Sequence, residues 1–345
     1  MWTGRCVLGN AKWRSSMNSS RLIWIAAIGA CTLNAATALA DEACQVSAFF
    51  RSGQTFVTWT QPPAEGAQYA IFRNGDRIAV VTDHTSLNLM ASIDRLKLSN
   101  TRAPAEYEIP NRTYFVVREG DPPLDAKTGL FVYTAKANEE AEYSVKLLGA
   151  DGAGAEKSVV RVSERIESPA PVRQNDTDYV HWTDNVGTSM YPAMSSVPSV
   201  PYNFRLRLPP GEGPHPLIGF LHGALLQYSN ANMGGRAESA AVRIAFDSPV
   251  MRGKIKGLTN DSWPMGAWYG YNENFGMERP LSDGKVVNYV ERRVLWTLEW
   301  AQKAFRVDPD RVSLRGGSMG GIGALTIGLA HPERRHHVAS PKESL

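Results

Sequence analysis

The 345-residue chain carries 37 Lys and Arg against 34 Asp and Glu, with 43% hydrophobic and 21% charged residues, the composition of an ordinary globular protein and not of a disordered or fibrous one. Four of the cations (Arg5, Lys12, Arg14, Arg21) and none of the acids fall in residues 1–40. The remainder is close to neutral and gives no reason to invoke nucleic acid or an anionic membrane surface as a partner. The length suits two or three domains of about 100–200 residues each.

Residues 1–40 read as a signal peptide. Behind Arg21, the run Leu22–Ala40 is apolar or small and closes on Ala38-Leu39-Ala40, a small-x-small cleavage pattern before Asp41. The expectation is a secreted or periplasmic protein without a membrane span after cleavage. Two other readings stay open: an uncleaved anchor, and lipid attachment at Cys31 in the lipobox-like Ile28-Gly29-Ala30-Cys31. Of Cys6, Cys31 and Cys44, only Cys44 survives cleavage. That leaves no internal disulfide and no cysteine metal site, and neither a metal nor a cofactor is expected.

Residues 41–170 read as an all-β sandwich. Gln54–Thr60 alternates with Thr55, Val57 and Trp59 on one face. Tyr69–Arg73 alternates too and is followed by Asn74-Gly75, a hairpin signal. Thr113–Arg118, Leu130–Thr134, Glu142–Leu148 and Ser158–Val162 are the further expected strands. This pattern resembles a fibronectin type III module: Trp59 matches its core tryptophan, Tyr143 stands where its corner tyrosine would, and Asp151–Ser158 looks like its last hairpin. The resemblance implies a spacer or a module that binds a polysaccharide or polyester surface.

Ser168-Pro-Ala-Pro-Val172 reads as a stiff linker. Beyond it, strands alternate with helices, as in an α/β domain of mostly parallel sheet with flanking helices over residues 171–345. Tyr202–Leu208 alternates. Pro216–Leu221 is a continuous apolar run suited to a parallel strand buried on both faces, and Val242–Phe246 is another strand. Val287, Val290, Val294, Leu298, Ala301 and Phe305 mark a long amphipathic helix. A strand at Arg311–Arg315 then meets a small-residue helix, Gly320–Ala330.

The chemistry concentrates at that junction. Gly316-Gly317-Ser318-Met319-Gly320 is a G-x-S-x-G turn between strand and helix, which exposes the Ser318 hydroxyl ahead of the free N–H groups of a helix N-terminus. Gly316 and Gly320 let the turn close. An acyl-transfer site needs two N–H donors facing the developing oxyanion. Met319 supplies one, and Ala224 or its neighbour Leu225, in the loop after Pro216–Leu221, supplies the other. His222 and Gly223 support that loop, with His222 structural and not the general base. Trp263–Phe275, aromatic and glycine-rich, reads equally as pocket lining or buried packing, and Asp247 as a cap or turn residue, with a triad acid as its other reading.

From about Tyr202 to Glu333, with Asp308-Pro-Asp-Arg-Val312, the serine turn, Gly323-Ala-Leu and His331-Pro-Glu333, the sequence resembles secreted α/β-hydrolase esterases of the esterase D, feruloyl esterase and polyhydroxyalkanoate depolymerase groups. The resemblance implies a carboxylic ester hydrolase with Ser318 as nucleophile, acting on a small-molecule or polymer ester. It also implies a triad Asp and His on loops after later strands. Residues 319–345 hold His331, His336 and His337, at or just past the end of the expected helix. The hydrolase domain is therefore expected to be incomplete at its C-terminus and nearly inactive, with Arg311–Arg315 left as an exposed sheet edge and Val312 and Leu314 poorly covered. A prolyl oligopeptidase-like serine peptidase, which shares the serine turn, and a non-catalytic binding protein are the other readings.

Overall fold

The computed structural model describes residues 45–61, 66–93, 106–107, 109, 111–148, 158–224, 226–231, 233–234, 239–248, 254–255, 267–332 and 337–339. The expectations for the signal peptide, for Asp151–Ser158 as a whole and for Leu225 lie outside them.

In the first half, β1 (Val46–Arg51) and β2 (Gln54–Thr60) form one hairpin and β3 (Gln68–Arg73) and β4 (Asp76–Thr82) a second. The second turns on Asn74 and Gly75, both at positive φ (51° and 84°), as the two-residue Asn-Gly hairpin requires. A one-turn helix α1 (Leu89–Ser92), capped by the Asn88 side chain, and β5 (Glu106–Tyr107) come next. β6 (Thr128–Thr134), β7 (Glu139–Leu148) and β8 (Val160–Glu164) complete two antiparallel sheets, ordered β1-β2-β6 and β4-β3-β7-β8. Val57, Trp59, Tyr69, Ile71, Phe131, Tyr143 and Val145 close the core between them. Buried Glu164 ties the sheets together by accepting hydrogen bonds from Thr55 Oγ1 (2.6 Å), Arg73 Nη2 (2.6 Å) and the Tyr143 hydroxyl.

The expected strand Thr113–Arg118 is not one. It makes a single bridge, Tyr114 to Leu87, and buries Phe115, Val116 and Val117, so its apolar run reflects burial, which periodicity cannot separate from strand pairing.

The second half opens with β9 (Val172–Arg173), β10 (Asp178–Thr183), β11 (Val200–Arg207), β12 (His215–Leu221), β13 (Val242–Phe246), β14 (Lys254–Ile255), β15 (Tyr271–Asn272) and β16 (Val286–Val287). It continues with α2 (Tyr289–Ala304), β17 (Val307–Gly316), α3 (Met319–Ala330) and β18 (His337–Ala339). Seven strands form one sheet in the order β18-β17-β12-β13-β11-β10-β9. β18, β17, β12 and β13 run parallel, while β13, β11, β10 and β9 alternate in direction. The sheet is thus mixed and not mostly parallel: β9 and β10 are joined by a short turn that allows only antiparallel pairing, and β11 pairs antiparallel with both β10 and β13.

β17 is not an edge either. β18 pairs with Ser313–Arg315 on its outer side, and Val312 and Leu314 are fully buried. Val290, Val294, Leu298 and Ala301 of α2 pack on the sheet with Leu217, Ile244, Val312 and Leu314, following the helical spacing of the sequence.

The two halves share a core. Phe56, Leu130 and Val132, on the outer face of β2 and β6, pack with Phe115 against Val172, Val180 and Trp182 of β9 and β10. Gln54 donates to the Trp182 carbonyl (2.8 Å), and Asn88 and Asn203 exchange amide hydrogen bonds (2.9 and 3.1 Å). The Arg51 guanidinium donates to the carbonyls of Ala170 and Pro171, which fixes the proline-rich connection. Ala43–Leu345 accordingly clusters as one compact unit.

Candidate active site

The serine turn stands where β17 ends and α3 begins. Ser318 occupies the N-cap of α3 with φ 52° and ψ −125°, a conformation that costs a non-glycine residue about 1–3 kcal/mol and recurs at functional sites. Gly317 and Ser318 are exposed. Both flanking glycines are sterically required. A Cβ on Gly316 would lie 2.3 Å from the Gly320 carbonyl carbon, and one on Gly320 only 2.0 Å from the Leu221 carbonyl oxygen. The G-x-S-x-G pattern is therefore the contact between this turn and the end of β12, written in sequence.

The loop after β12 lies against the turn: a Cβ on Gly223 would stand 3.9 Å from Ser318 Cβ and 3.7 Å from the Gly317 carbonyl oxygen. Ala224 is exposed there. The structure thus brings Ser318, Met319, Gly223 and Ala224 to one place. Met319 is the first residue of α3, where a backbone N–H has no intrahelical acceptor and the helix dipole favours negative charge, while the Gly320 N–H donates to the Gly317 carbonyl (2.9 Å).

His222 is buried behind this loop, with 3% of its surface exposed. Its Nε2 accepts the Ser248 N–H (3.0 Å) and lies 3.3 Å from Asp247 Oδ1, and its Nδ1 sits 2.8 Å from the Gly223 carbonyl oxygen. An Nε2 that accepts leaves the proton on Nδ1, donating to Gly223. Nδ1 is spent on the loop and Nε2 on the chain after β13, and neither is hydrogen-bonded to Ser318 among the described residues. Asp247, at the end of β13, also accepts from the Tyr228 N–H (3.4 Å).

Within Trp263–Phe275, the part from Ala267 onward is described; Trp268 and Tyr271 are buried, while Tyr269 is exposed. Trp268 is 1% exposed, donates from Nε1 to the His222 carbonyl (3.1 Å) and meets the His222 ring edge-on at 5.0 Å. A Cβ on Gly323 would fall 2.5 Å from Trp268 Cβ, so Trp268 wedges the His222 loop to α3. The sequence left Trp268 between pocket lining and packing and did not reveal its partner; Gly323, a small residue on a helix face, is the other half of the signal.

No imidazole is hydrogen-bonded to the Ser318 hydroxyl among the described residues. His331 caps the far end of α3, about 20 Å along the helix from Ser318 at 1.5 Å per residue, and its Nε2 lies 3.2 Å from Glu291 Oε1. His336 lies outside the described residues. His337 pairs through its backbone with Ser313 on β18.

The structure thus sets Ser318 on a strained strand–helix turn beside the loop of Gly223 and Ala224. Residues 195–341 match the Esterase family model, described as "Putative esterase". The chain is 28% identical to the S-formylglutathione hydrolase of Paracoccus denitrificans over 157 residues, which cover 44% of this chain and 55% of that protein. It is 32% identical to the rat enzyme of the same name over 104 residues, 30% of this chain and 36% of the relative. The chain thus spans about half the length of the bacterial relative and about a third of the mammalian one. Among solved structures, an S-formylglutathione hydrolase from Agrobacterium tumefaciens overlaps with a TM-score of 0.32 at 23% identity, covering 50% of this chain and 60% of that one. An enterobactin esterase from Shigella flexneri overlaps with a TM-score of 0.29 at 12% identity, covering 88% and 76%. The family match and the sequence relatives support an esterase of the α/β-hydrolase type.

Proposed function

We propose that this chain carries the nucleophile and oxyanion hole of a serine hydrolase that cleaves carboxylic esters or thioesters through an acyl-enzyme. Ser318 Oγ attacks the carbonyl carbon, and the carbonyl oxygen takes up negative charge between the N–H groups of Met319 and Ala224. The Ser318 proton passes to a base outside the described residues and on to the leaving alcohol or thiol. Water then attacks the acyl-serine, releases the acid and restores the hydroxyl. The observation that carries this reading is the positive φ of Ser318 between two glycines that admit no side chain. The thioester arm rests on the relatives named S-formylglutathione hydrolase.

The reading is tested with three substrates of matched acyl group: a p-nitrophenyl ester, an acyl thioester and a peptide anilide. Turnover of either of the first two in preference to the anilide, slow because no described side chain takes the Ser318 proton and lost in Ser318→Ala, is expected. Cleavage of the anilide in preference to both would instead make the protein a peptidase.

Export with cleavage after Ala40 remains our reading of residues 1–40. The arrangement of three strands against four supports a fibronectin type III-like module over residues 41–170, with the hydrolase domain at 171–345. Its packing through Trp182 favours a fixed structural role over that of a tethered carbohydrate-binding arm.

A further inference from the structure

Trp268 is held at φ 61°, a left-handed conformation that a bulky residue keeps only where its surroundings leave it no other, and such residues gather at functional sites. Its surroundings bind it twice. On its C-terminal side the Tyr269 carbonyl accepts the N–H of Glu291, in the first turn of α2 (3.0 Å), and a Cβ on Gly270 would stand 1.7 Å from the Val287 carbonyl oxygen. The backbone that follows Trp268 is thereby pinned to the start of α2. Its side chain is pinned to α3, where Trp268 Cβ, Cγ and Cδ1 lie 2.5, 2.5 and 2.7 Å from where a Gly323 Cβ would be.

What this strain secures is the aim of one hydrogen bond. Trp268 Nε1 donates to the His222 carbonyl (3.1 Å), and a Cβ on Gly320 would lie 2.8 Å from that same oxygen. In a planar trans peptide the carbonyl and the N–H point opposite ways. Holding the His222 carbonyl against α3 therefore fixes the plane of the peptide between His222 and Gly223, and with it the direction in which the chain leaves for Ala224. The next peptide is fixed from inside the loop: the Gly223 carbonyl lies 2.8 Å from His222 Nδ1 and accepts the Leu226 N–H (3.3 Å), which turns the Ala224 N–H the other way. The indole ties this loop to the helix that carries Ser318 at its N-cap.

We propose that Trp268 is a positioning residue for acyl transfer: clamped between α2 and α3, it sets through its indole N–H the spacing of the Gly223-Ala224 loop from Ser318. This rests on the loop's role in the proposed function, and one of its two readouts needs no reaction at Ser318.

The test compares the whole chain with Trp268→Phe, which keeps an aromatic ring at this position and removes the N–H. The first readout is the Gly223 amide signal in ¹⁵N-glycine-labelled protein, assigned by its loss in Gly223→Ala. The second is reaction with a fluorophosphonate probe with imidazole added, the plateau rate and the half-saturating probe concentration being measured separately, beside the urea midpoint. Trp268→Phe should move the Gly223 signal and lower the plateau rate about tenfold, the factor that one ordinary hydrogen bond carries, with half-saturation unchanged. A lower urea midpoint with the wild-type Gly223 signal and plateau rate would make Trp268 a packing residue and overturn the proposal. A change confined to half-saturation would overturn it too. An unreactive wild type whose Gly223 signal still moves in Trp268→Phe would support the clamp and contradict the proposed function instead. Should Trp268→Phe fail to fold, Gly323→Ala, whose methyl displaces the same side chain, must give both changes, and wild-type values there overturn the proposal.

Discussion

Gly320 touches the carbonyl oxygen of Leu221 so closely that a Cβ on it would stand 2.0 Å away. Backbone against backbone cannot yield as a flexible side chain does, and over-packing of this kind costs about 1–3 kcal/mol or more. Gly320→Ala should lower the urea midpoint of the chain and pull α3 away from the end of β12. A variant as stable as the wild type would show that the turn is not held in this way.

Trp182 links the halves, meeting Phe56 at 5.2 Å and Phe115 at 5.3 Å between ring centroids. Because both halves share this core, the chain should unfold in a single transition. Trp182→Ala should shift the whole of that transition by about 3–5 kcal/mol. Two separate transitions, only one of them moved by the substitution, would mean that the halves are independent.

His181 stacks on Trp296 at 4.9 Å and shares a 3.0 Å hydrogen bond with the Tyr191 hydroxyl. Burial first, and then the charge of Arg293, lower its pKa well below the ordinary value of 6.5. The unfolded chain therefore binds a proton below about pH 6.5 that the folded chain refuses. The stability His181 contributes is present above that pH and is lost as pH falls below it, by up to about 1.4 kcal/mol per pH unit. His181→Phe, which keeps a ring on Trp296, should flatten the slope of unfolding free energy against pH between 6.5 and 5 by up to one proton. An unchanged slope would place the acid sensitivity elsewhere.

Export is read from Leu22–Ala40 and its Ala-x-Ala ending. Intact mass of the exported protein should begin at Asp41, while a lipid-modified Cys31 would make the protein a lipoprotein.

The parts legible in the sequence were those whose cause is local. Gly316, Ser318 and Gly320 announce the turn because steric contact leaves no other residue there. Val290, Val294, Leu298 and Ala301 announce α2 because one helix face meets one sheet. What stayed hidden depends on partners far along the chain. Phe56 alternates as if facing solvent, yet it is buried against Trp182, 126 positions away. Tyr179, His181 and Thr183 alternate within β10, but their setting beside β11 is fixed by pairing that no single strand reveals. Arg293 falls among the charges of α2 and reads as part of its solvated side. It lies three residues after Val290 and four before Thr297, both buried, and that spacing alone could have placed it inward.

The central claim is that Ser318 is the nucleophile. The measurement that tests it most directly is reaction of the chain with a fluorophosphonate probe, read by peptide mass. We predict covalent addition at Ser318 alone, accelerated by added imidazole because no described side chain takes its proton, and abolished in Ser318→Ala. Labelling that persists in Ser318→Ala, or that falls on another residue while Ser318 stays unmodified, would contradict the account.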